Sequence, residues 1–405
     1  MKNPLKGIPK NAFVLGAASL LNDIASEMIA PLLPIFLTVT LGAGPATLGL
    51  IEGVAETTSS FLKIVSGYIS DKIGKRKAIV FGGYGIAALV RPLIAATTSW
   101  FQVLILRFFD RAGKGIRTAP RDALLADSAD VAYRGKVFGF HRALDNAGAV
   151  VGPLIAFLLI HQWGFSYRTI FALTLLPGLL SASSIATFIR EQKLIPKSVG
   201  TTFKWDRVNT RFYRYLVVLF LFTLGNASDA FLILRAIDAG MPKSFIPILW
   251  SGFNLVKFLV STPGGALSDR IGRRPVIVAG WLVYAVIYAA FAFASTPLHI
   301  IFIFAGYGVY YGLTEGVERA FVADLVPEDI RATAYGLYNA VIGFGALPAS
   351  VLFGLIWKYY GVQAAFFWAV ALAAISSVGL LVFVNKPTPG ASIPLVLTVL
   401  HTSCK

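Results

Sequence analysis

Apolar residues in this chain fall into about twelve runs, each near the roughly 20 residues that an α-helix needs to cross a bilayer. The runs lie near 11–38, 45–69, 78–97, 99–117, 136–160, 168–190, 212–235, 243–267, 275–295, 298–317, 333–356 and 362–385, with short polar turns between them. In hydrocarbon every backbone N–H and C=O must be satisfied within the protein, so repeated runs of this length select helices over an open sheet. Composition leaves no soluble alternative. A chain of 405 residues that is 56% hydrophobic and 14% charged, with mean hydropathy +0.72, carries more apolar surface than a water-soluble core can hide. The expected fold class is an all-α membrane protein. No short apolar core with a small-residue cleavage site opens the sequence, so the first run is expected to be an uncleaved span and the mature chain to begin at Met1.

Lysine and arginine in short loops collect on the cytoplasmic side of a membrane. If alternate loops are taken as cytoplasmic, most of the 36 Lys and Arg fall there or in the termini, and only Arg168, Lys243 and Lys358 fall in loops on the other face. Both termini are therefore expected in the cytoplasm, with the plasma (inner) membrane as the location. The same bias, together with contact to anionic headgroups, accounts for the net charge of +16, and nucleic-acid binding is set aside. The lone cysteine, Cys404, excludes a disulfide framework, and His141, His161, His299 and His401 lack metal-ligand spacing, so no metal or other cofactor is expected. Phosphate-binding loops, His-Glu-x-x-His and nucleophile elbows are missing as well, which argues against an enzyme and against ATP-driven pumping.

The polar turns repeat. SDKIGKRKAIV (70–80) returns as SDRIGRRPVIV (268–278), and ADSADVAYRGKVFG (126–139) returns as ADLVPEDIRATAYG (323–336). Asp71 matches Asp269 and Asp127 matches Asp324 at offsets that differ by a single residue, so the two halves share loop lengths as well as motifs. The expected organisation is a six-helix bundle over 1–190, a cytoplasmic linker over 191–211, a second six-helix bundle over 212–388 and a tail over 389–405. Parallel repeats of this kind place a substrate site at the midplane between the halves in many secondary transporters.

The pattern Gly67-x-x-x-Asp71-Lys72-x-Gly74-Lys75-Arg76, with its second copy Gly265-x-x-x-Asp269-Arg270-x-Gly272-Arg273-Arg274, resembles the signature loop of the major facilitator superfamily in both of its places. The resemblance covers about residues 10–388 and implies a twelve-span carrier in which these loops latch the cytoplasmic side shut when the cavity faces outward. It makes Gly67, Asp71, Lys72, Gly74, Arg76, Gly265, Asp269, Arg270, Gly272 and Arg273 gate residues, with Arg111 or Arg117 as the partner of Asp71. Gly148-x-x-x-Gly152-Pro153 resembles the motif of proton antiporters in the drug-exporting branch, where glycines allow close helix packing and proline bends the helix, although Ala156 and Phe157 stand where that motif closes with glycines. Arg107-Phe-Phe-Asp110-Arg111-Ala-Gly113 resembles the family's buried-arginine motif, implicated in proton transfer. Here Asp110 replaces the customary Gln and Arg111 a Gly, and an arginine with an acid at i+3 can neutralise itself.

Ionisable residues inside spans cost several kcal/mol unless they face a cavity or a partner, so their positions outline a pathway. Asp23 and Glu27 lie one helical turn apart; if both were charged they would repel, which suits the pair to taking up and releasing a proton. Asn226 and Asp229 on the seventh run are the approximate counterparts of Asn22 and Glu27. On the fifth run His141 and Asp145 are four apart, with Arg142 in reach of Asp145 and Asn146. Proton coupling is thus expected of Asp23, Glu27, Asp145 and Asp229, and substrate contact of Asn22, Arg107, Asp110, His141, Arg142 and Asn226. A bundle-bracing role for the same residues stays open. Lys63, Arg91 and Lys257 are read as side chains that snorkel to the interface. The leading functional expectation is a monomeric, proton-coupled carrier exporting a small organic compound. Uptake or release of an anionic metabolite or metal chelate, and a transporter-like sensor that moves nothing, are the alternatives.

Overall fold

A computed structural model describes residues 8–73, 75–128, 134–191, 210–326 and 331–384. Most of the expected linker and all of the expected tail lie outside them, as do Gly74 and the side chains of Asp71 and Lys72. Among the described residues there is no strand; the chain runs through twelve helical rods. They are α1 (Lys10–Thr40), α2 (Pro45–Ile73), α3 (Arg76–Ala96), α4 (Trp100–Ser128), α5 (Arg134–Trp163) and α6 (Tyr167–Phe188) in the first half. The second half holds α7 (Thr210–Asp238), α8 (Lys243–Ile271), α9 (Arg273–Phe293), α10 (Pro297–Leu325), α11 (Arg331–Tyr360) and α12 (Val362–Phe383). Length and composition mark ten as membrane-spanning, and the two that miss, α2 and α4, do so because they carry acids and bases at their centres.

Short turns hold the rods in sequence. Ser166 caps α6 by accepting from the Thr169 N–H at 3.2 Å, and Thr296 caps α10 by accepting from the His299 N–H at 3.3 Å. Between α8 and α9 a single residue, Gly272, makes the turn at φ +98°, a conformation that costs a side-chain-bearing residue strain.

The two halves use the same packing diagram. In the first, α1 lies against α5 and α6, α2 against α4, and α3 against α4 and α6; in the second, α7 lies against α11 and α12, α8 against α10, and α9 against α10 and α12. The halves join through another matched pair of contacts, α2 with α11 and α5 with α8. The architecture is two pseudo-symmetric six-helix bundles. Their interiors differ: the second half is filled by rings, with Phe222 stacked on Trp281 at 4.4 Å and Tyr284 on Tyr288 at 4.0 Å, whereas buried charge occupies the first.

The contacts that join the halves cluster toward the end remote from the described chain termini. A Cβ placed on Gly49, Gly53, Gly343 or Gly354 would come within 2.2, 2.8, 2.1 and 2.6 Å of the opposite half, so α2 and α11 meet backbone to backbone. Thr57 donates to the Gly343 carbonyl at 2.6 Å, Ser251 to the Val150 carbonyl at 2.9 Å, and Phe245 packs on Phe157 at 5.6 Å. Toward the terminus-bearing end Arg319 and Glu315 of α10 are partly exposed, and ionic groups inside a span keep exposure only where water reaches them.

Two rods are broken inside the membrane. In α1 the α-helix stops at Ile29 and resumes past Pro31, and in α7 it stops at Gly225 and resumes at Ala230, leaving Asn226 to Asp229 unwound.

Candidate functional site

The glycines of α5 decide what α1 presents. A Cβ on Gly148 would sit 2.8 Å from the Leu20 carbonyl oxygen and 2.9 Å from the Asp23 Cβ, and one on Gly152 would sit 2.7 Å from the Ile24 carbonyl oxygen and 3.0 Å from the Glu27 Cβ. The Gly148 and Gly152 pair, with Pro153 beyond it, therefore seats both acids of α1 flat against α5. His141 and Asp145 continue the same stripe of α5, 3.5 Å apart. Arg142 is exposed on another face.

Behind the acids, α1 to α4 share a buried ionic network. Arg91 of α3, 3% exposed, donates from Nε to the Asp110 carboxylate at 2.7 Å and from Nη1 to the Asn22 side-chain and backbone oxygens at 3.0 and 3.1 Å. Asn22 in turn donates to the Asp23 carboxylate at 3.0 Å. Arg107 of α4 donates from Nη2 to both oxygens of Glu52 on α2 at 2.9 Å each. These distances correct two expectations. Arg91 does not snorkel; it is locked in the bundle. Arg107 and Asp110 do not mainly neutralise each other, being 3.5 Å apart while each has a closer partner. Asn22 and Asp110 are both buried, and in this arrangement their side chains are bonded to Arg91.

The expected loop after the fourth span is helix instead, since α4 runs on to Ser128. Arg117 and Arg121 lie inside it, buried, with Arg117 stacked 4.5 Å from the Tyr84 ring centre and Arg121 bonded to Asp122 at 2.9 Å and to Ser19 at 3.3 Å. Arg111 lies 3.9 Å from Asp110. Neither expected partner of Asp71 is therefore free of other contacts.

The repeated polar turns prove to be partners of one another. Arg76, at the start of α3, pairs with Asp127 near the end of α4; Arg273, at the start of α9, reaches Asp324 near the end of α10 at 3.5 Å and Asp269 at 2.5 Å. Each half thus closes its own third and fourth helices with an arginine on the matched acid, but from neighbouring positions: Arg273 aligns with Lys75, and Arg274, the counterpart of Arg76, donates to the Leu380 carbonyl at 3.0 Å. Arg270 is exposed, Gly67 lets α2 approach Ala119 of α4, and nothing crowds Gly265.

In the second half two acids, Asp229 and Glu318, are held by neutral donors. Tyr307 donates to Asp229 at 2.5 Å, and Trp281 and Tyr338 each donate to Glu318 at 2.9 Å. Lys257 pairs with Glu315 at 2.8 Å and lies 4.9 Å from the Tyr311 ring centre, so it too does not snorkel. From the second half Trp250 Nε1 donates to Glu27 at 2.9 Å, joining the two halves through an expected proton site. Asn226 lies in the break of α7, where its side-chain oxygen is buried without a partner among the described residues. Glu52, Glu56, Lys114, Trp250, Tyr307 and Glu318 escape the sequence reading. A tally of every charge in α2 and α4 would have flagged the first three, but no sequence signal names the donor opposite an acid.

Two matched six-helix bundles, joined through α2 with α11 and α5 with α8 and each containing one broken helix, define a membrane carrier. The chain belongs to the Major Facilitator Superfamily, whose family model matches residues 15–236 and 215–399, and it is a secondary transporter. It is 38% identical over 383 residues to an uncharacterized MFS-type transporter of Methanocaldococcus jannaschii, covering 92% of this chain and 95% of that one. A cis,cis-muconate transport protein of Acinetobacter baylyi is 24% identical, over 86% of this chain and 90% of that one. Among solved structures, a nucleoside transporter, NupG, aligns with a TM-score of 0.78 over 92% of this chain and 100% of its own at 15% identity, a likeness of fold alone. Family and structural neighbours are transporters, not enzymes.

Proposed function

We propose that this protein is a proton-coupled carrier of a small organic compound, working by alternating access in the plasma membrane with both termini in the cytoplasm. The observation that carries this reading is the way Glu27 and Asp229 are bonded: each accepts from a neutral donor, Trp250 or Tyr307, within the central cleft. A carboxyl group held by neutral donors can gain or lose a proton without stranding a buried cation, which an ion-paired acid such as Asp110 cannot do. Glu27 adds the coupling element, because its partner belongs to the other half and its protonation state bears on whether the halves stay joined. Asp23 and Asp145, facing each other across the α1 and α5 contact, extend the acid set. The bundles over 1–190 and 212–388 rock about this centre. Export is the direction favoured by the Gly148, Gly152 and Pro153 motif.

The test uses purified protein in sealed vesicles with a pH probe inside and a panel of labelled organic solutes. A pH gradient should drive accumulation of at least one solute. Glu27→Gln and Asp229→Asn should abolish the pH-driven accumulation yet still exchange labelled for unlabelled solute at zero gradient. Equal pH dependence in both variants and the parent protein would refute the assignment, and no solute movement at all would favour a sensor.

A further inference from the structure

Resting on the carrier reading above, we infer that Lys114, with Lys63 and Arg111 beside it, forms an anion-binding subsite on the first half's wall of the cleft. The transported compound is then an organic carboxylate. Lys114 stands at the midpoint of α4, which runs from Trp100 to Ser128, so either end of the helix is about 21 Å away at 1.5 Å per residue. A four-carbon stem cannot carry its ammonium to either end of the helix. Yet among the described residues its ammonium makes no ion pair and no hydrogen bond. An unpaired ammonium at mid-depth is costly unless a cavity or a ligand receives it.

The surroundings sharpen the sign. The charges that face Glu56 are Lys63, Lys114, Arg111 and Arg107, and Arg107 is already committed to Glu52. Lys63 and Glu56 share a stripe of α2 two turns apart. Arg111 and Lys114 share a face of α4, and the two helices touch where a Cβ on Gly115 would come 2.6 Å from the Ser59 carbonyl oxygen. Arg111 also lies 3.9 Å from Asp110, so two cations, Lys63 and Lys114, are left to the one Glu56 carboxylate. Lys63 also faces a further cation, Arg319, from the opposite half. The next acid, Asp23, is faced by Arg117 and by Asp145 and Glu27 as well as by Lys114. By contrast Lys257 of α8, in the second half, is matched by Glu315 at 2.8 Å. The ammonium without an ion pair therefore belongs to the first half, while the second half offers rings: Trp250 and Tyr311 are half-buried, and Phe253 packs on them at 5.0 and 5.7 Å. A carboxylate placed on Lys114 would lay an unsaturated or aromatic body on that face.

Benzoate, benzamide and benzylamine present one ring with charge −1, 0 and +1, and their binding to the purified full chain can be followed by tryptophan fluorescence and by thermal shift. Benzoate should bind saturably and the other two should not. Lys114→Gln should weaken benzoate about tenfold or more, the scale of a lost charge-assisted contact, while Lys114→Arg and Lys257→Gln retain it. Lys63→Gln serves as the second variant if Lys114→Gln does not fold. Preferential binding of benzylamine, equal benzoate affinity in Lys114→Gln and the parent, or no benzoate binding would each overturn the inference. The carrier reading would survive any of these provided a solute still moves with protons in vesicles. Benzoate binding without proton-coupled movement would instead strike the carrier reading and leave the subsite standing.

Discussion

Replacing Arg91 with leucine removes the cation that closes the ionic network of the first half. The guanidinium is buried, and its three bonds run to Asp110 and to two oxygens of Asn22 at 2.7 to 3.1 Å. Breaking a buried ion pair from one side costs about 3–5 kcal/mol, because the surviving charge keeps its burial and loses its partner. Arg107 at 3.5 Å and Arg111 at 3.9 Å remain beside Asp110, which places the expected cost at the lower end, about 3 kcal/mol. The double variant Arg91→Leu with Asp110→Leu removes both charges, and it should recover to within about 1 kcal/mol of the parent protein. Reversible unfolding in mixed micelles, followed by far-ultraviolet circular dichroism, measures all three proteins and yields a coupling energy of about 2 kcal/mol or more. A single variant that loses under about 1 kcal/mol, or a double variant whose loss equals the sum of the two singles, would refute the reasoning.

Gly152→Leu should separate α5 from Ile24 and Glu27 and lower the yield of folded protein in size-exclusion chromatography, since a single added carbon already falls 2.7 Å from a backbone oxygen that cannot rotate away. Trp250→Phe keeps the ring and deletes the bond to Glu27, so a cysteine pair placed across α5 and α8 at the end remote from the termini should crosslink more slowly than in the parent; an unchanged rate would mean that the bond does not help hold the halves together. Asp127→Asn and Asp324→Asn should act alike, each loosening its own third and fourth helices and raising hydrogen exchange there. An effect confined to one half would show that the bridges are not equivalent.

Most of the fold was legible because lipid makes the code simple: twelve runs, a charge bias and a repeated turn are each visible without side-chain geometry. The end of α4 was not. Arg111, Lys114, Arg117 and Arg121 read as a basic loop, yet the helix carries them inward, where Tyr84, Asp122 and the acids of α1 and α2 receive them. The site was half legible. Asp23, Glu27 and Asp229 stand out as acids in apolar runs, but their partners Trp250 and Tyr307 are ordinary aromatics in a chain with 7 Trp and 15 Tyr. Which ring meets which acid is set by helix rotation, and a repeat found in one turn, such as the pairing of Arg76 with Asp127, becomes visible only when the helices stand side by side.

The backbone contact between α2 and α11 also has a mechanical meaning. Helices of 29 and 30 residues are about 44 Å long, and contacts that run from Gly49 to Ser60 of α2 leave the rest of that helix, about 20 Å, as a free arm. A turn of about 10° about the end of that seam would sweep the free end through roughly 3.5 Å. The stroke at the free ends is then larger than the displacement along the seam, which the glycine contacts can follow without sliding. The arginine bridges at the opposite end act as braces on each arm, so that effort applied at the centre is delivered to the free ends and not lost in flexing the arms.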